Sequence, residues 1–268
     1  MKARDTGKGF PVIDGSCLEE ISRAHGVSLR EAEIAALENG VVPTRYLYNI
    51  GIIGLEGQIR LLRSHVGICG LGGLGGFVVE LLARLGVGRL TLVDGDRFTE
   101  HNLNRQLLST QGNMGIPKVE AAAIRVREIN ASVEVKTHRI YLTREEGEVF
   151  KGTDLVVDAL DNVPSRLALQ ELCAALGIPM VHGAIAGFTG QVMTVFPGDP
   201  GLALLYPPDT ERGIELEVGN PAFTPALVAS LQAAEVVKIL CGTGQPIRDG
   251  FLFVDLSENR IEFVPLGR

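Results

Sequence analysis

The chain has 268 residues, and 46% of them are hydrophobic, which is enough to bury a full core. The formal net charge of −7, with no basic run to compensate for it, argues against general binding to nucleic acid. The polar start carries no apolar signal core, and we expect no apolar run of the roughly 18 residues that a membrane span needs. These features predict a soluble, cytoplasmic protein with one large domain at residues 44–268 and a small helical appendage at residues 1–43.

The N-terminal appendage shows two helical patterns, from Leu18 to Ala24 and from Ser28 to Leu37. Ser28 and Glu31 have the spacing of a capping box at the start of the second helix. Acidic residues in this helix argue against a DNA-binding helix-turn-helix, so we expect a cap that docks on the main domain or stabilises a dimer. Glycines break the apolar stretch that follows, and a third helix is predicted only from Glu56 to Arg63.

The centre of the chain carries the pattern of a βαβ nucleotide-binding unit. A buried-strand run at 66–69 leads into a glycine-rich turn, a helical segment covers 77–85, and a second strand run at 90–93 ends at Asp94. The glycines allow a tight turn, admit a ligand close to the backbone and let helix and sheet pack closely. The start of the helix attracts an anion, and Asp94 can accept hydrogen bonds from ribose hydroxyls. We predict nucleotide binding, without specifying the nucleotide, at Gly70, Gly72, Gly73 and Gly75.

Strands and helices continue to alternate after this unit, which predicts a doubly wound, mainly parallel sheet. The fold class is therefore α/β and Rossmann-like, with the N-terminal helical cap. The pattern changes past Gln191, where an acidic, loop-like stretch at 209–220 precedes the last helix. The predicted elements are helices at 118–129, 165–176 and 225–240, strands at 132–136, 154–159, 178–182 and 191–196, and a terminal hairpin at 251–255 and 260–264.

Polar side chains gather at the ends of the predicted strands. Because the carboxyl ends of parallel strands share one rim of a sheet, we expect these side chains to converge. A nicotinamide site uses the ribose acid but gives no role to cations beside further carboxylates. Nucleotidyl chemistry uses cations to offset triphosphate charge and a carboxylate to hold Mg²⁺, so the pattern favours ATP with magnesium. The group comprises Asp94, Asp96, Asn102, Arg105, Lys118, Asp158 and Asp161.

Five spaced motifs together resemble the ThiF/MoeB/HesA family, the bacterial relatives of ubiquitin-activating enzymes. The resemblance runs from about Arg45 to Leu240. It implies that MgATP and a carboxylate give an acyl-adenylate and pyrophosphate. The usual substrate in the family is the C-terminal glycine of a small ubiquitin-fold sulfur carrier ending in Gly-Gly, as in thiamine or molybdopterin biosynthesis. The motifs are Gly70 to Gly75, Asp94-Gly95-Asp96, Asn102-Leu103-Asn104-Arg105-Gln106, Ile116-Pro117-Lys118 and Asp158-Ala159-Leu160-Asp161-Asn162.

The same resemblance assigns roles to individual residues. It implies that Asp94 binds the ribose and that Asp161 lies at the magnesium or at the reacting α-phosphate. Together with the apolar stretch from Tyr46 to Leu62, it also suggests a homodimer. The implied catalytic residues are Arg105, Lys118 and Asp161, and the implied nucleotide ligands further include Asp96, Asn102 and Asn162.

Three departures from the family pattern keep other interpretations open. Relatives carry two C-x-x-C pairs for zinc and this chain has none, so we predict no zinc site. Residues 215–225 contain no cysteine for sulfur transfer, so sulfur would come from another protein. Tyr48 stands where relatives have an arginine, which Arg45 or Arg60 would have to replace. The alternatives are a catalytically reduced nucleotide- or carrier-binding homologue and an NAD-dependent oxidoreductase; adenylation of a small molecule or a modified tRNA base is a further variant.

A few residues have two interpretations. Asp158 is either a site residue or a cap of its own loop. His182 is interpreted as structural rather than as a substrate contact, and Gln191 as a candidate for the groove that receives a partner's tail. Cys69 and Cys173 are predicted to be buried apolar residues.

Overall fold

An eight-stranded sheet covered by helices forms the centre of the molecule. The computed structural model describes residues 4–5, 9–206 and 218–267. Most of the acidic stretch predicted as a loop at 209–220 therefore lies outside the described residues. The described helices are α1 (Gly15–His25), α2 (Leu29–Glu38), α3 (Ile50–Arg63), α4 (Gly73–Leu85), α5 (Lys118–Ile129), α6 (Val163–Leu176) and α7 (Phe223–Cys241). The described strands are β1 (Arg4–Asp5), β2 (Pro11–Ile13), β3 (Val42–Pro43), β4 (His65–Cys69), β5 (Arg89–Val93), β6 (Glu134–His138), β7 (Leu155–Asp158), β8 (Met180–Ala186), β9 (Thr189–Val195), β10 (Gly250–Asp255) and β11 (Arg260–Pro265).

The strands of the large sheet run in the order β11-β10-β9-β8-β7-β4-β5-β6. All neighbours from β8 to β6 are parallel, whereas the pairs among β8, β9, β10 and β11 are antiparallel. This confirms the predicted doubly wound, mainly parallel sheet and the change of pattern near Gln191. The chain winds from β4 to β5 and β6 on one side and returns to β7 on the other, so the strand order reverses between β4 and β7. In such sheets the ligand crevice lies beyond the carboxyl ends of the strands at this reversal.

The boundaries of several elements differ from the predicted ones for local reasons. Helix α4 begins at Gly73, four residues before the predicted start, because the glycine turn leads directly into it. Strand β6 begins only at Glu134, because a turn occupies the residues before it: the Ser132 and Val133 N–H groups donate to the side-chain and backbone oxygens of Asn130. Strand β8 continues to Ala186 because β9 pairs with it along its whole length.

The N-terminal residues form more than the two predicted helices. Both helices are present, and the capping box of α2 is formed by reciprocal hydrogen bonds between Ser28 and Glu31. The structure adds a small sheet of the short strands β1, β2 and β3. Helix α3 extends further towards the N-terminus than predicted and is interrupted at Gly54, whose φ of 69° only glycine adopts readily. An apolar cluster joins this part to α3, formed by Val12, Leu37, Val42, Tyr46, Ile50 and Leu62.

Helix α7 has the length and apolar composition of a membrane span, so the expectation that no such stretch exists was wrong. In the structure this helix packs against α4, α3, β8 and β9. Its residues Val228, Ala229, Ala233 and Val236 are buried in the main core. A helix covered by other elements along much of its surface must be apolar on several sides, which accounts for its composition.

Candidate active site

A cavity of about 510 Å³ opens at the carboxyl ends of β4, β5 and β7, where the strand order reverses. Its lining comes from the glycine turn, the segments after β5, β6 and β7, and the stretch before α7. The structure thus brings together residues from five separate parts of the sequence. Of the residues predicted from the sequence, the lining includes Gly70, Gly72, Gly73, Asp94, Asp96, Arg105, Lys118, Asp161 and Asn162, but neither Gly75 nor Asn102.

Close packing explains the glycines at 70 and 75. Gly70 has a φ of +88°, and a Cβ there would lie 2.5 Å from the Ala159 carbonyl oxygen. A Cβ on Gly75 would lie 1.8 Å from the Gly70 oxygen, so any side chain would push α4 away from the turn. A Cβ on Gly72 would meet only the Gln106 side chain, at 3.6 Å. The turn is therefore tight on its inner side and open towards the cavity, where the start of α4 presents unpaired N–H groups to an anion.

Asp94 braces the glycine turn as well as facing the cavity. Its Oδ2 accepts a hydrogen bond from the Leu71 N–H at 2.7 Å, and its Oδ1 accepts one from the Asp96 N–H at 2.7 Å. Burial raises the pKa of Asp94, although the nearby Lys118 and these two N–H donors act in the opposite direction. A carboxylate offers about four acceptor positions, so Asp94 retains capacity for ribose hydroxyls.

Lys118, the first residue of α5, is held by Asp96. Its side chain is only 7% exposed, and its Nζ lies 3.0 Å from Asp96 Oδ2. The Tyr141 hydroxyl donates to Asp96 Oδ1 at 2.8 Å, and the ring of Tyr141 packs over Gly95. Burial alone would raise the pKa of Asp96, but the hydrogen bonds from Lys118 and Tyr141 lower it below its usual range. Sequence reasoning missed Tyr141, although its position just after β6 places it on the rim where the other site residues were expected.

The segment after β5 divides into cavity-lining and structural residues. Arg105 lines the cavity, and its guanidinium donates to the His101 carbonyl at 3.0 Å and to Asn104 Oδ1 at 2.8 Å. Asn102, predicted as a nucleotide ligand, is not among the residues that line the cavity. Its Oδ1 instead accepts from the Thr99 N–H at 2.9 Å and closes a short 3-10 turn, and the residue is 3% exposed.

Two further polar residues line the cavity without having been assigned a role from the sequence. Gln106 and Asn220 each have a buried side-chain oxygen with no hydrogen-bond partner among the described residues. A buried acceptor without a donor is costly, so these two oxygens fit a ligand with hydroxyl or amino groups. Gln106 belongs to the motif that contains Arg105, which was the available signal in the sequence.

Asp161 and Asn162 form the opposite wall, after β7. Asp161 is exposed and lines the cavity. Asn162 is the N-cap of α6, where its Oδ1 accepts from the Ser165 N–H at 2.9 Å, and its Nδ2 donates to Asp161 Oδ1 at 3.3 Å. An exposed carboxylate beside a phosphate site is the type of ligand that Mg²⁺ takes, with phosphate oxygens and water completing its coordination.

Asp158 and His182 lie below the cavity and are both fully buried. His182 Nδ1 and Asp158 Oδ2 are 2.7 Å apart, and burial lowers the pKa of His182 although Asp158 opposes this. His182 is therefore structural, as interpreted from the sequence. Gln191 also points inward, with its Nε2 donating to the Tyr206 hydroxyl at 2.8 Å, and it does not line the cavity.

The cysteines and the proposed substitute arginines lie in other surroundings. Cys69 and Cys173 are buried, as predicted, and burial raises the pKa of both thiols, which disfavours a reactive thiolate. Arg45 binds the Asn130 side chain and Arg60 binds the Cys241 carbonyl, and neither lines the cavity of this chain. No cluster of three metal-binding side chains occurs among residues 4–5, 9–206 and 218–267.

Comparison with known proteins gives relatives along most of the chain. The SAMP-activating enzyme E1 of Haloferax volcanii is 39% identical over 217 residues, which cover 80% of this chain and 80% of that protein. The sulfur carrier protein adenylyltransferase of Thermus thermophilus is 39% identical over 216 residues, covering 77% and 80%. A crystal structure of E. coli MccB with ATP shares the fold, with a TM-score of 0.70 at 22% identity over 84% of this chain and 72% of that chain.

The fold, the glycine turn and these relatives together define an ATP-dependent adenylyltransferase of the kind that activates ubiquitin-like proteins. The ThiF family model matches residues 45–268. The chain belongs to the ThiF family.

Proposed function

We propose that this chain adenylates the C-terminal glycine of a small ubiquitin-fold sulfur carrier protein of the ThiS or MoaD type, ending in Gly-Gly. The observation that carries the proposal is the convergence of Arg105, Lys118 and the exposed carboxylate of Asp161 on one cavity with the ribose acid Asp94. Two relatives at 39% identity support it, because one is named a SAMP-activating enzyme E1 and the other a sulfur carrier protein adenylyltransferase.

ATP binding in this proposal follows the polarity of the cavity. Asp94 accepts hydrogen bonds from the ribose hydroxyls. The open side of the glycine turn and the start of α4 receive the phosphates, because N–H groups and the helix dipole favour an anion there. Arg105 and Lys118 add positive charge beside them, and Arg105 can bind phosphate oxygens bidentately.

The reaction transfers the adenylyl group to the carrier. An oxygen of the carrier's terminal carboxylate forms a bond to the α-phosphorus, and the bond from that phosphorus to the bridging oxygen breaks. The electron pair leaves with pyrophosphate, and the product is an acyl-adenylate. Arg105 and Lys118 stabilise the charge that grows on the departing pyrophosphate. Asp161 would hold Mg²⁺, which when bound offsets phosphate charge and orients the reacting groups.

Sulfur transfer to the activated carrier is assigned to a separate protein. Residues 215–225 carry no cysteine, and burial raises the pKa of Cys69, the cysteine that lines the cavity. A thiol with a raised pKa is a poor nucleophile at neutral pH.

A cytoplasmic homodimer belongs to the same proposal. Tyr48, just before α3, and Ile52, in its first turn, are 80% and 82% exposed, and both belong to the apolar stretch from which a dimer was expected. Large apolar side chains that are exposed side by side are typical of protein interfaces. Light scattering at micromolar concentration tests this part, and a monomer would contradict it.

The decisive experiment is carrier-dependent exchange of labelled pyrophosphate into ATP. We expect exchange with a Gly-Gly-ended carrier and none with the same carrier lacking its last glycine, which serves as the matched control. Calorimetry with MgATP and with NAD⁺ accompanies it. ATP binding without exchange would favour a homologue that has lost the chemistry, exchange independent of any carrier would indicate a small-molecule or tRNA substrate, and tight NAD⁺ binding without ATP binding would favour an oxidoreductase.

A further inference from the structure

The loop that presents Asp161 to the cavity is held by hydrogen bonds to groups that have no part in the proposed chemistry. The Ala159 N–H donates to the Cys69 carbonyl at 2.9 Å, which ties the loop to the end of β4. The Asp158 carbonyl accepts from Gln232 Nε2 at 2.8 Å, which ties it to α7. Ala159 and Leu160, which precede Asp161, therefore belong to a segment that is hydrogen-bonded to both β4 and α7.

Opposite charges hold the two peptide groups of Leu160, the residue immediately before Asp161. The Leu160 N–H donates to Asp158 Oδ1 at 3.0 Å. The Leu160 carbonyl accepts from Arg166 Nε at 3.2 Å and from an Arg166 terminal nitrogen at 2.9 Å. A carboxylate on the N–H and a guanidinium on the carbonyl are both charge-assisted contacts, which are stronger than neutral hydrogen bonds.

Both charged groups are almost completely removed from water, with Asp158 at 0% and Arg166 at 3% exposure. Among the described residues, each also has a further polar partner. Asp158 Oδ2 accepts from the His182 ring, and the remaining Arg166 terminal nitrogen donates to the Tyr206 hydroxyl at 3.2 Å. Breaking either contact with Leu160 would leave a buried charge without its partner, which is costly. The two contacts therefore strongly specify the conformation of the loop.

We propose that Arg166 is a positioning residue that fixes Asp161 through the Leu160 carbonyl, with Asp158 holding the preceding peptide group through the Leu160 N–H. This inference rests on the proposed function of Asp161. Arg166 lines the cavity, but its Nε and both terminal nitrogens already donate to Leu160 and Tyr206. In this proposal Arg166 acts through the loop, whereas a role as a phosphate ligand would raise mainly the KM for ATP in the variant.

The test compares Arg166→Gln, Asp161→Ala and the double variant in pyrophosphate exchange. Misplacing a reacting group by about 1 Å costs about 100-fold in rate, so we expect R166Q to lower kcat by about that factor. The KM for ATP should stay within about 3-fold, because the ribose and phosphate contacts lie elsewhere. In the Asp161→Ala background R166Q should have little further effect, since residues that act through one another are not additive.

Two further variants serve as controls, and the outcomes distinguish the positioning role of Arg166 from the proposed function of Asp161. Arg144→Gln removes a surface pair with Glu171 on α6 and should leave exchange unchanged. R166K retains the charge with fewer donors and should recover part of the lost kcat, which also provides a measurement if R166Q does not fold. If Asp161→Ala leaves exchange intact, the proposed function of Asp161 fails. If Asp161→Ala is severe but R166Q is neutral, raises mainly the KM for ATP, or multiplies fully with Asp161→Ala, the positioning role is overturned.

Discussion

The two walls of the cavity are built in opposite ways. On one wall Lys118 is paired with Asp96, whose side chain is 49% exposed, and the pair lies beside the exposed ring of Tyr141. On the other wall the loop before Asp161 is fixed by Asp158 and Arg166, which are nearly inaccessible to water. A partly exposed ion pair is weak and exchanges partners readily, whereas buried charged groups that are each hydrogen-bonded to the backbone do not. The first wall is therefore suited to transferring a cation to an incoming phosphate, and the second to keeping one carboxylate in place.

Substitution in the wall that contains Asp161 should have the largest effect. Asp161→Ala should slow pyrophosphate exchange by roughly 10²–10³-fold, because a preorganised electrostatic group is lost from the reaction centre. ATP binding measured by calorimetry should change much less, since the group acts mainly as charge leaves with pyrophosphate. A large loss of ATP affinity with unchanged kcat would show that Asp161 only binds substrate.

Lys118→Met should follow, with a decrease in exchange of about 100-fold, because the charge opposite the leaving pyrophosphate disappears. In contrast to Asp161→Ala, it should also weaken ATP binding, since Lys118 can meet the phosphates before the reaction begins. Lys151→Met is the matched control, because its side chain is 72% exposed and pairs only with the surface residue Glu148 among the described contacts. Equal effects of the two lysine variants would show that Lys118 has no specific role in the site.

Asp94→Asn should have a moderate effect, with ATP affinity about 10-fold lower at pH 7.5, because a charged acceptor for the ribose is lost. The wild-type affinity should fall on acidification, because an ionised Asp94 accepts hydrogen bonds from the ribose hydroxyls more strongly than the protonated acid does. Burial raises its pKa, so this fall begins at a higher pH than for an ordinary aspartate. Calorimetry of both proteins between pH 7.5 and 5 isolates the contribution, because protonation of ATP is common to both. A constant ratio of the two affinities would contradict it.

Tyr141→Phe tests the wall that contains Lys118 and Asp96, and it should have the smallest effect. It removes one solvent-exposed hydrogen bond to Asp96, so we expect the KM for ATP to rise by less than about 5-fold. The value of kcat should change less, because Lys118 keeps its charge. Tyr141→Ala should be worse than Tyr141→Phe, since it also removes the ring from Gly95; equal effects would mean that the ring contributes nothing.

Patterns in the sequence predict those features of the fold and the site that depend on local chemistry. Gly70 and Gly75 are recognisable because no other residue fits their backbone and packing requirements. The carboxylate of Asp161 and the cations of Arg105 and Lys118 are recognisable because the positions at which parallel strands end converge on one rim. Four of the five parallel strands follow from their apolar runs and β6 follows from its alternating pattern, while the antiparallel edge follows from the change of pattern near Gln191.

The remaining features depend on contacts between distant residues. Asn102 has the residue type of a ligand, but a turn closed with Thr99 takes up its side-chain oxygen, and the spacing of the motif does not reveal this. Arg166 lies on a helix where an arginine would ordinarily be solvated, and only the fold brings it to the Leu160 carbonyl. The short strands β1 to β3 are two or three residues long, which is too short for any periodic pattern.

The contact between Tyr46 and the N-terminal residues has a consequence for where the protein can be shortened. The family model begins at residue 45, yet the Tyr46 hydroxyl donates to Glu33 Oε2 at 3.1 Å and its ring is fully buried. Deleting residues 1–43 would remove Glu33 and uncover an apolar surface that includes Leu62. A shortened protein is thus expected to aggregate even though every cavity residue is retained. The region matched by the family model is thus smaller than the region that we expect this chain to need to remain in solution.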